Sequence, residues 1–150
     1  MAIVVGDRKQ LQQVFLNILT NAEEFMTEAN GGGTLEIKVT TDDDTASISF
    51  ADDGPGIQQQ DIAKAFDPFF TTKEVGKGSG LGLSICYGIV KEHNGTISVE
   101  SIPGQGATFT VELPLVKGRP GSPSGDNSTD ATRPWQAMNI LVVDDEPMIT

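Results

Sequence analysis

"GKGSGLGLSICYGIVKEHNG", residues 76–95, sets Gly76, Gly78, Gly80 and Gly82 directly ahead of an apolar run that closes on a further Asn-Gly. Glycines just before a helix leave backbone N–H groups free to face an anion, and the helix dipole adds to the attraction. The spacing matches neither the G-x-G-x-x-G of dinucleotide sites nor the G-x-x-x-x-G-K-[ST] of a P-loop. A flexible hinge would also use glycines here. The pattern predicts a helix from about Gly80 to His93. Asn94-Gly95 then turns the chain into "TISVESI" (96–102) and "GATFTVELP" (106–114), an antiparallel strand pair.

Working outward, Asp7 can cap an earlier helix, with Gln10 at the third helical position as in a capping box. Apolar residues at Leu11, Val14, Phe15, Ile18, Leu19, Ala22, Phe25 and Met26 keep the helical period to about Glu28, and "NGGG" (30–33) ends it. "TLEIKVT" (34–40) and "TASISFAD" (45–52) alternate as half-buried strands of a hairpin. A glycine-rich stretch follows, broken by a short helix near 58–66. This order predicts an α/β (α+β) two-layer sandwich with a mostly antiparallel sheet. Past Pro114 the composition changes. Residues 1–116 read as one domain, the Pro/Gly/Ser/Thr/Asp-rich segment 117–137 as a linker, and "MNILVVDDEPMIT" (138–150) as the start of a further strand.

The chain of 150 residues has a formal charge of -11, which argues against nucleic acid or an anionic membrane as partner. Any polyanion would have to be attracted by a metal ion, backbone amides and a few local lysines. Cys86 is the only cysteine, so no internal disulfide framework exists and a reducing compartment fits. With no leader or apolar run of membrane length, the chain reads as cytoplasmic, although a longer parent could be anchored elsewhere.

Asn17 and Asn21 lie four apart and so share a helix face; at roughly 100° per residue both fall at one margin of the apolar stripe. Asn is a mediocre helix former, so a stacked pair suits either an amide oxygen aimed at a hard cation such as Mg²⁺ or a locally satisfied pair. In "DDGPGI" (52–57), alternation puts Asp52 on one strand face with Ile48 and Phe50, a carboxylate closing an apolar row. It could accept from a flat ligand's amino group, and a plain turn is the competing account. "FDPFFTTKEVGKG" (66–78) joins an aromatic cluster, with Phe66, Phe69 and Phe70 as anchor, to Lys73 and Lys77 as phosphate contacts. His93, the sole histidine, is expected to be solvated or to cap the end of its helix.

Together and in this order, "NILTNAEEFM", "DDGPGI", "FDPFFTTK" and "GKGSGLGL" resemble the N, G1, F and G2 boxes of the sensor histidine kinase catalytic domain. "GIVKEHNGTISVESIPGQGATFTVELP" is similar to that family's closing segment, and the likeness covers nearly all of residues 3–114. The resemblance implies the Bergerat ATP-binding fold, with ATP and Mg²⁺ as cofactors. It implies Asn21 as Mg²⁺ ligand with Asn17 beside it, and catalytic roles for Asn17, Asn21 and Lys73. Asp52 would accept from the adenine amino group, with Gly54, Gly56 and Ile57 shaping the pocket floor. Phe70, Lys73, Lys77, Gly78, Ser79, Gly80, Leu81 and Gly82 would complete the nucleotide site, as a lid and a helix start that cradle the triphosphate.

Two positions depart from the family pattern. Glu24 stands where many members have a basic residue, and Ala107 where a Thr often follows the last hairpin's "GxG". "MNILVVDDEP" resembles the first strand of a response-regulator receiver, with Asp144 and Asp145 as its acidic pair. The implied partners are a dimerisation domain carrying the phosphoacceptor histidine and a receiver domain, in a homodimeric hybrid kinase. The superfamily's ATP-hydrolysing machines are the alternative enzyme class; they carry a Glu base four residues before the Mg²⁺-binding Asn, where this chain has Asn17. A non-catalytic nucleotide-binding or interaction module is the remaining alternative.

Overall fold

The computed structural model describes residues 3–73 and 78–116, together with the backbone of 137–139. Its elements in order are β1 (Ile3–Val5), α1 (Arg8–Asn30), β2 (Leu35–Thr41), β3 (Thr45–Asp52), α2 (Gln59–Ile62), α3 (Gly82–Glu92), β4 (Thr96–Ser101), β5 (Ala107–Pro114) and β6 (Ala137–Asn139). The two expected hairpins are both present, β2 with β3 and β4 with β5. They join through β3 and β5 into one antiparallel sheet of order β2-β3-β5-β4. Ile48 lies opposite Val111 and Phe50 opposite Phe109 across that central pair.

Alternation along β3 and β5 turns Ala46, Ile48, Phe50, Phe109, Val111 and Leu113 to one face, where all are buried. The apolar stripe of α1 (Leu11, Val14, Ile18) and Cys86, Ile89 and Val90 of α3 cover that face as the second layer. Ile37 on edge strand β2 stays exposed. No helix among the described residues is long and apolar enough to cross a membrane.

The ends of the helices follow local chemistry. Asp7 caps α1, its Oδ1 accepting from the N–H of Lys9 at 2.8 Å and of Gln10 at 3.1 Å. Gly31 at φ 74° takes the left-handed position, and its N–H and that of Gly32 bond back to Thr27 and Met26. That closure carries α1 to Asn30, two residues past the expected end. The α3 helix starts at Gly82 rather than Gly80, because Gly80 has φ 66° and cannot be part of an α-helix. The helix expected near 58–66 contracts to Gln59–Ile62, followed by turns to Asp67.

One expectation is corrected by a contact between distant segments. The Gln10 side chain does not reach back to the Asp7 N–H; its amide points to Glu92, at 3.5 Å. The Asp7 N–H instead donates to His93 Nε2 at 2.9 Å, while His93 Nδ1 lies 2.7 Å from the Ile89 carbonyl. His93 does end α3, but it is only 4% exposed and so is not solvated. Its ring ties the start of α1 to the end of α3, and Gly6 leaves room for it: a Cβ there would sit 2.6 Å from the ring.

Strand β6 pairs antiparallel with β1, Val4 opposite Met138. The expected strand core Ile140–Val143 and most of the linker lie outside the described residues.

His93→Leu removes the ring's contacts with the Asp7 N–H and the Ile89 carbonyl and leaves the part-buried Asp7 N–H without its acceptor, while the Ile89 carbonyl keeps the backbone N–H of residue 93. The expected loss is about 1–3 kcal/mol of unfolding free energy, read from urea titration of the whole chain. An unchanged midpoint would show that the ring is not a structural tie.

Candidate functional site

A cavity of about 430 Å³ opens beside α1 and the start of α3, within the usual range for a small-molecule site. Its lining draws on α1 (Asn17, Asn21, Glu24), the end of β3 (Asp52), the loop after it (Gly56, Ile57), the stretch Phe70–Lys73, and Gly78, Ser79, Gly80 and Gly82. The four sequence motifs thus meet around one volume although they are dispersed along the chain.

Asp52 ends β3 at the cavity wall. Its Oδ1 accepts from the N–H of Gly54 at 2.9 Å and from the N–H of Ala107 at 3.3 Å. Among the described residues nothing bonds its Oδ2. Two backbone donors on one oxygen fix the carboxylate's orientation and leave the other oxygen for a donor in the cavity. Ala107 therefore contributes through its backbone, a contact independent of the missing Thr side chain. Gly56 forms the floor at φ 70°, where a Cβ would stand 2.5 Å from the Ile102 carbonyl oxygen. Ile57 lines the cavity and is held by its N–H on Ser101 Oγ at 2.8 Å. Gly54 acts on Asp52 and is not itself part of the lining.

The opposite end is built on α1 and α3. Asn17 donates from Nδ2 to the Gly82 carbonyl at 3.3 Å, so it lines the cavity while clamping the two helices. The same amide also faces Cys86, whose thiol burial pushes above its ordinary pKa, with Asn17 hydrogen bonding opposing the rise. A buried, neutral thiol of this kind is inert. Asn21 lies a turn further on; a Cβ on Gly82 would come 4.0 Å from its Nδ2. No side chain caps α3 among the described residues, so its first-turn N–H groups face the cavity end undiverted.

The loop between Phe66 and Gly82 divides its aromatics. Phe66 packs inward with ring centroids 6.4 Å from Phe109 and 6.0 Å from Tyr87, and Phe70 lines the cavity. Phe69 is not an anchor: φ 67° turns it outward and it is 75% exposed. Its N–H bonds the Gly80 carbonyl at 2.9 Å, closing the loop on itself. Gly78, Ser79 and Gly80 line the cavity; Leu81 sits behind as the residue preceding α3, its N–H on Ser79 Oγ. Lys77 lies outside the described residues.

Lys73 is the one cation among the described lining residues, against the carboxylates of Glu24, Asp52 and Asp61. Its Nζ is ion-paired with Glu24, lies 3.5 Å from Asn21 Oδ1, and stands 4.9 Å from the Phe25 ring centre. The sequence marked Lys73 and Glu24 separately, and no spacing signal joins residues 49 apart. Asp61, Thr71 and Thr72 also line the cavity without a prior signal.

Residues 6–117 match the model of the histidine kinase-, DNA gyrase B-, and HSP90-like ATPase family. The chain belongs to that family. Family membership implies ATP binding. Sporulation kinase A of Bacillus subtilis is 40% identical over 109 residues, 73% of this chain and 17% of that protein. Sensor histidine kinase RcsC of Escherichia coli is 37% identical over 140 residues, 89% of this chain and 14% of that protein. This chain thus spans a small part of such relatives. Among solved structures, the mycobacterial sensor histidine kinase MprB superposes with a TM-score of 0.66 at 30% identity, covering 75% of this chain and 76% of that one. The catalytic domain of histidine kinase ThkA gives 0.64 at 37% identity, covering 74% and 71%. The sheet and helices described above are the fold of histidine kinase catalytic domains.

Gly80→Ala places a Cβ within 2.5 Å of the Phe69 backbone at a left-handed φ. It is expected to cost about 1 kcal/mol or more and to speed proteolysis within 69–80. Unchanged cleavage and stability would show that the loop does not depend on this closure.

Proposed function

We propose that the chain is the ATP-binding catalytic module of a hybrid sensor histidine kinase. It binds Mg²⁺-ATP and presents the γ-phosphate to a histidine on a dimerisation domain. The observation that carries this is the polarity of the cavity between Asp52 and the start of α3. At one end stands a carboxylate with one oxygen fixed and one open; at the other, an uncapped helix start, an amide oxygen and a lysine. A nucleotide has the complementary polarity, with a flat amino-bearing base at one end and a polyanion at the other.

In this reading the open oxygen of Asp52 accepts from the adenine amino group, and Gly56 and Ile57 form the floor beneath the ring. The α3 start and the amides of Gly78, Ser79, Gly80 and Gly82 face the phosphates, as helix N-termini do. Asn21 and Lys73 stand at the phosphate end, and Asn21 Oδ1 is the oxygen donor offered to Mg²⁺. The metal supplies charge neutralisation across the phosphates. Phosphoryl transfer asks a protein chiefly for positioning and charge stabilisation, which these groups offer. Transfer is favoured over hydrolysis because Asn17, an amide donating to Gly82, has no capacity to take a proton from water.

The acceptor is a histidine of another domain, because His93 is buried with both ring nitrogens engaged. The parent is inferred to be a cytoplasmic-facing homodimer with a receiver domain beyond residue 137.

Calorimetric titration with ATP tests the proposal. Micromolar binding that depends on Mg²⁺ is expected for the unmodified chain. Asp52→Asn should cost about 1.5–3 kcal/mol, roughly a tenfold to hundredfold loss, and Asn21→Ala should abolish the Mg²⁺ dependence. No binding to the unmodified chain, or an unaffected Asp52→Asn, would contradict it.

A further inference from the structure

We propose that Glu24 is a second oxygen donor of the metal site: with Asn21 it forms a cation seat that the Lys73 ammonium fills in the nucleotide-free protein and a divalent ion fills with the nucleotide. This rests on the nucleotide reading above.

The geometry is that of a cation shared by two oxygens of one helix. Asn21 and Glu24 are three residues apart on α1, so their side chains neighbour each other on one face. The Lys73 Nζ is ion-paired with the Glu24 carboxylate and lies 3.5 Å from Asn21 Oδ1, so a single position serves both donors. Lys73 is held there on a third side by the Phe25 ring. Its side chain is only 12% exposed, while that of Glu24 is 50% exposed and within reach of solvent. One amide oxygen plus one carboxylate is a sparse set, and Mg²⁺ is commonly held by one or two carboxylates completed by phosphate oxygens and water.

Charge decides when each cation occupies the seat. Among the described residues, Glu24, Asp52 and Asp61 face the cavity against Lys73 alone. A bare triphosphate that drew Lys73 away would leave the Glu24 carboxylate uncompensated beside it, and the two would repel. A divalent ion arriving with the nucleotide replaces the ammonium on Glu24 and Asn21, and releases Lys73 to the phosphates. Glu24, which takes the place of a basic residue in the family pattern, thereby selects metal-complexed over metal-free nucleotide.

The test uses the 150-residue chain, Glu24→Gln, Lys73→Met and the double variant. Two readouts are taken: Mn²⁺ alone followed by electron paramagnetic resonance, and ATP titration with and without Mg²⁺. Lys73→Met, which vacates the seat, should bind Mn²⁺ without nucleotide about tenfold more tightly than the unmodified chain, and adding Glu24→Gln should abolish that gain. With ATP, Glu24→Gln should bind the metal-free nucleotide at least as tightly as the unmodified chain, while the enhancement by Mg²⁺ falls about tenfold. An unchanged Mg²⁺ enhancement in Glu24→Gln, or equal Mn²⁺ binding by all four proteins, would overturn the seat. Failure of the unmodified chain to bind ATP at all, with the Mn²⁺ pattern intact, would instead overturn the nucleotide reading and leave the metal seat standing.

Discussion

The site depends on the burial of one stripe of α1. Leu11, Val14 and Ile18 are each at most 1% exposed and pack with Cys86 and Val90 of α3 over the central strand pair. At about 1.5–3 kcal/mol for each such side chain, that contact leaves the helix no freedom to rotate. The margin of the same stripe then carries Asn17 and Asn21 to the cavity edge whether or not they gain anything there. A helix turned by a third of a revolution would save two unfavourable asparagines from half-burial and lose three core residues. Packing therefore sets where the polar groups stand, and their chemistry follows.

The second constraint is electrostatic. A chain with a formal charge of -11 must take up a polyanion in a cavity whose described lining holds three carboxylates and one lysine. Each carboxylate has to be neutralised or turned to use. Asp52 is oriented by two backbone N–H groups, and Glu24 is neutralised by Lys73. In the proposed reading the favourable potential for phosphate comes from backbone, at the start of α3, where it adds no residue charge to the chain. Amides fixed by a fold need no reorganisation on binding, so the proposed site requires no buried P-loop lysine.

Much of this was legible from period and punctuation. The 3.6-residue repeat identified α1 and its buried residues, and alternation placed Asp52 on the face of Ile48 and Phe50 at the end of its strand. The ordered boxes brought Asn21, Asp52 and the Gly78–Gly82 loop to one site, and the cavity contains all three. What could not be read depends on contacts between distant segments or on single dihedral angles. His93 shows no sequence sign of receiving the Asp7 N–H 86 residues away. Phe69 carries the same side chain as Phe66 and Phe70, yet it has a positive φ and stands out in solvent. Glu24 reads as a missing phosphate contact until Lys73 is seen on it. The central pairing of β3 with β5 follows from no hairpin rule, since it joins strands from different hairpins.

The central claim is that Asp52 holds the base and the α3 start holds the phosphates of one nucleotide. Amide chemical-shift mapping of the whole chain with a non-hydrolysable ATP analogue and Mg²⁺ tests it most directly. The Gly54 and Ala107 amides, both bonded to Asp52, should shift strongly together with Gly82, while edge strand β2 stays still. A shift pattern that leaves Gly54 and Ala107 unmoved while other regions respond would contradict the account.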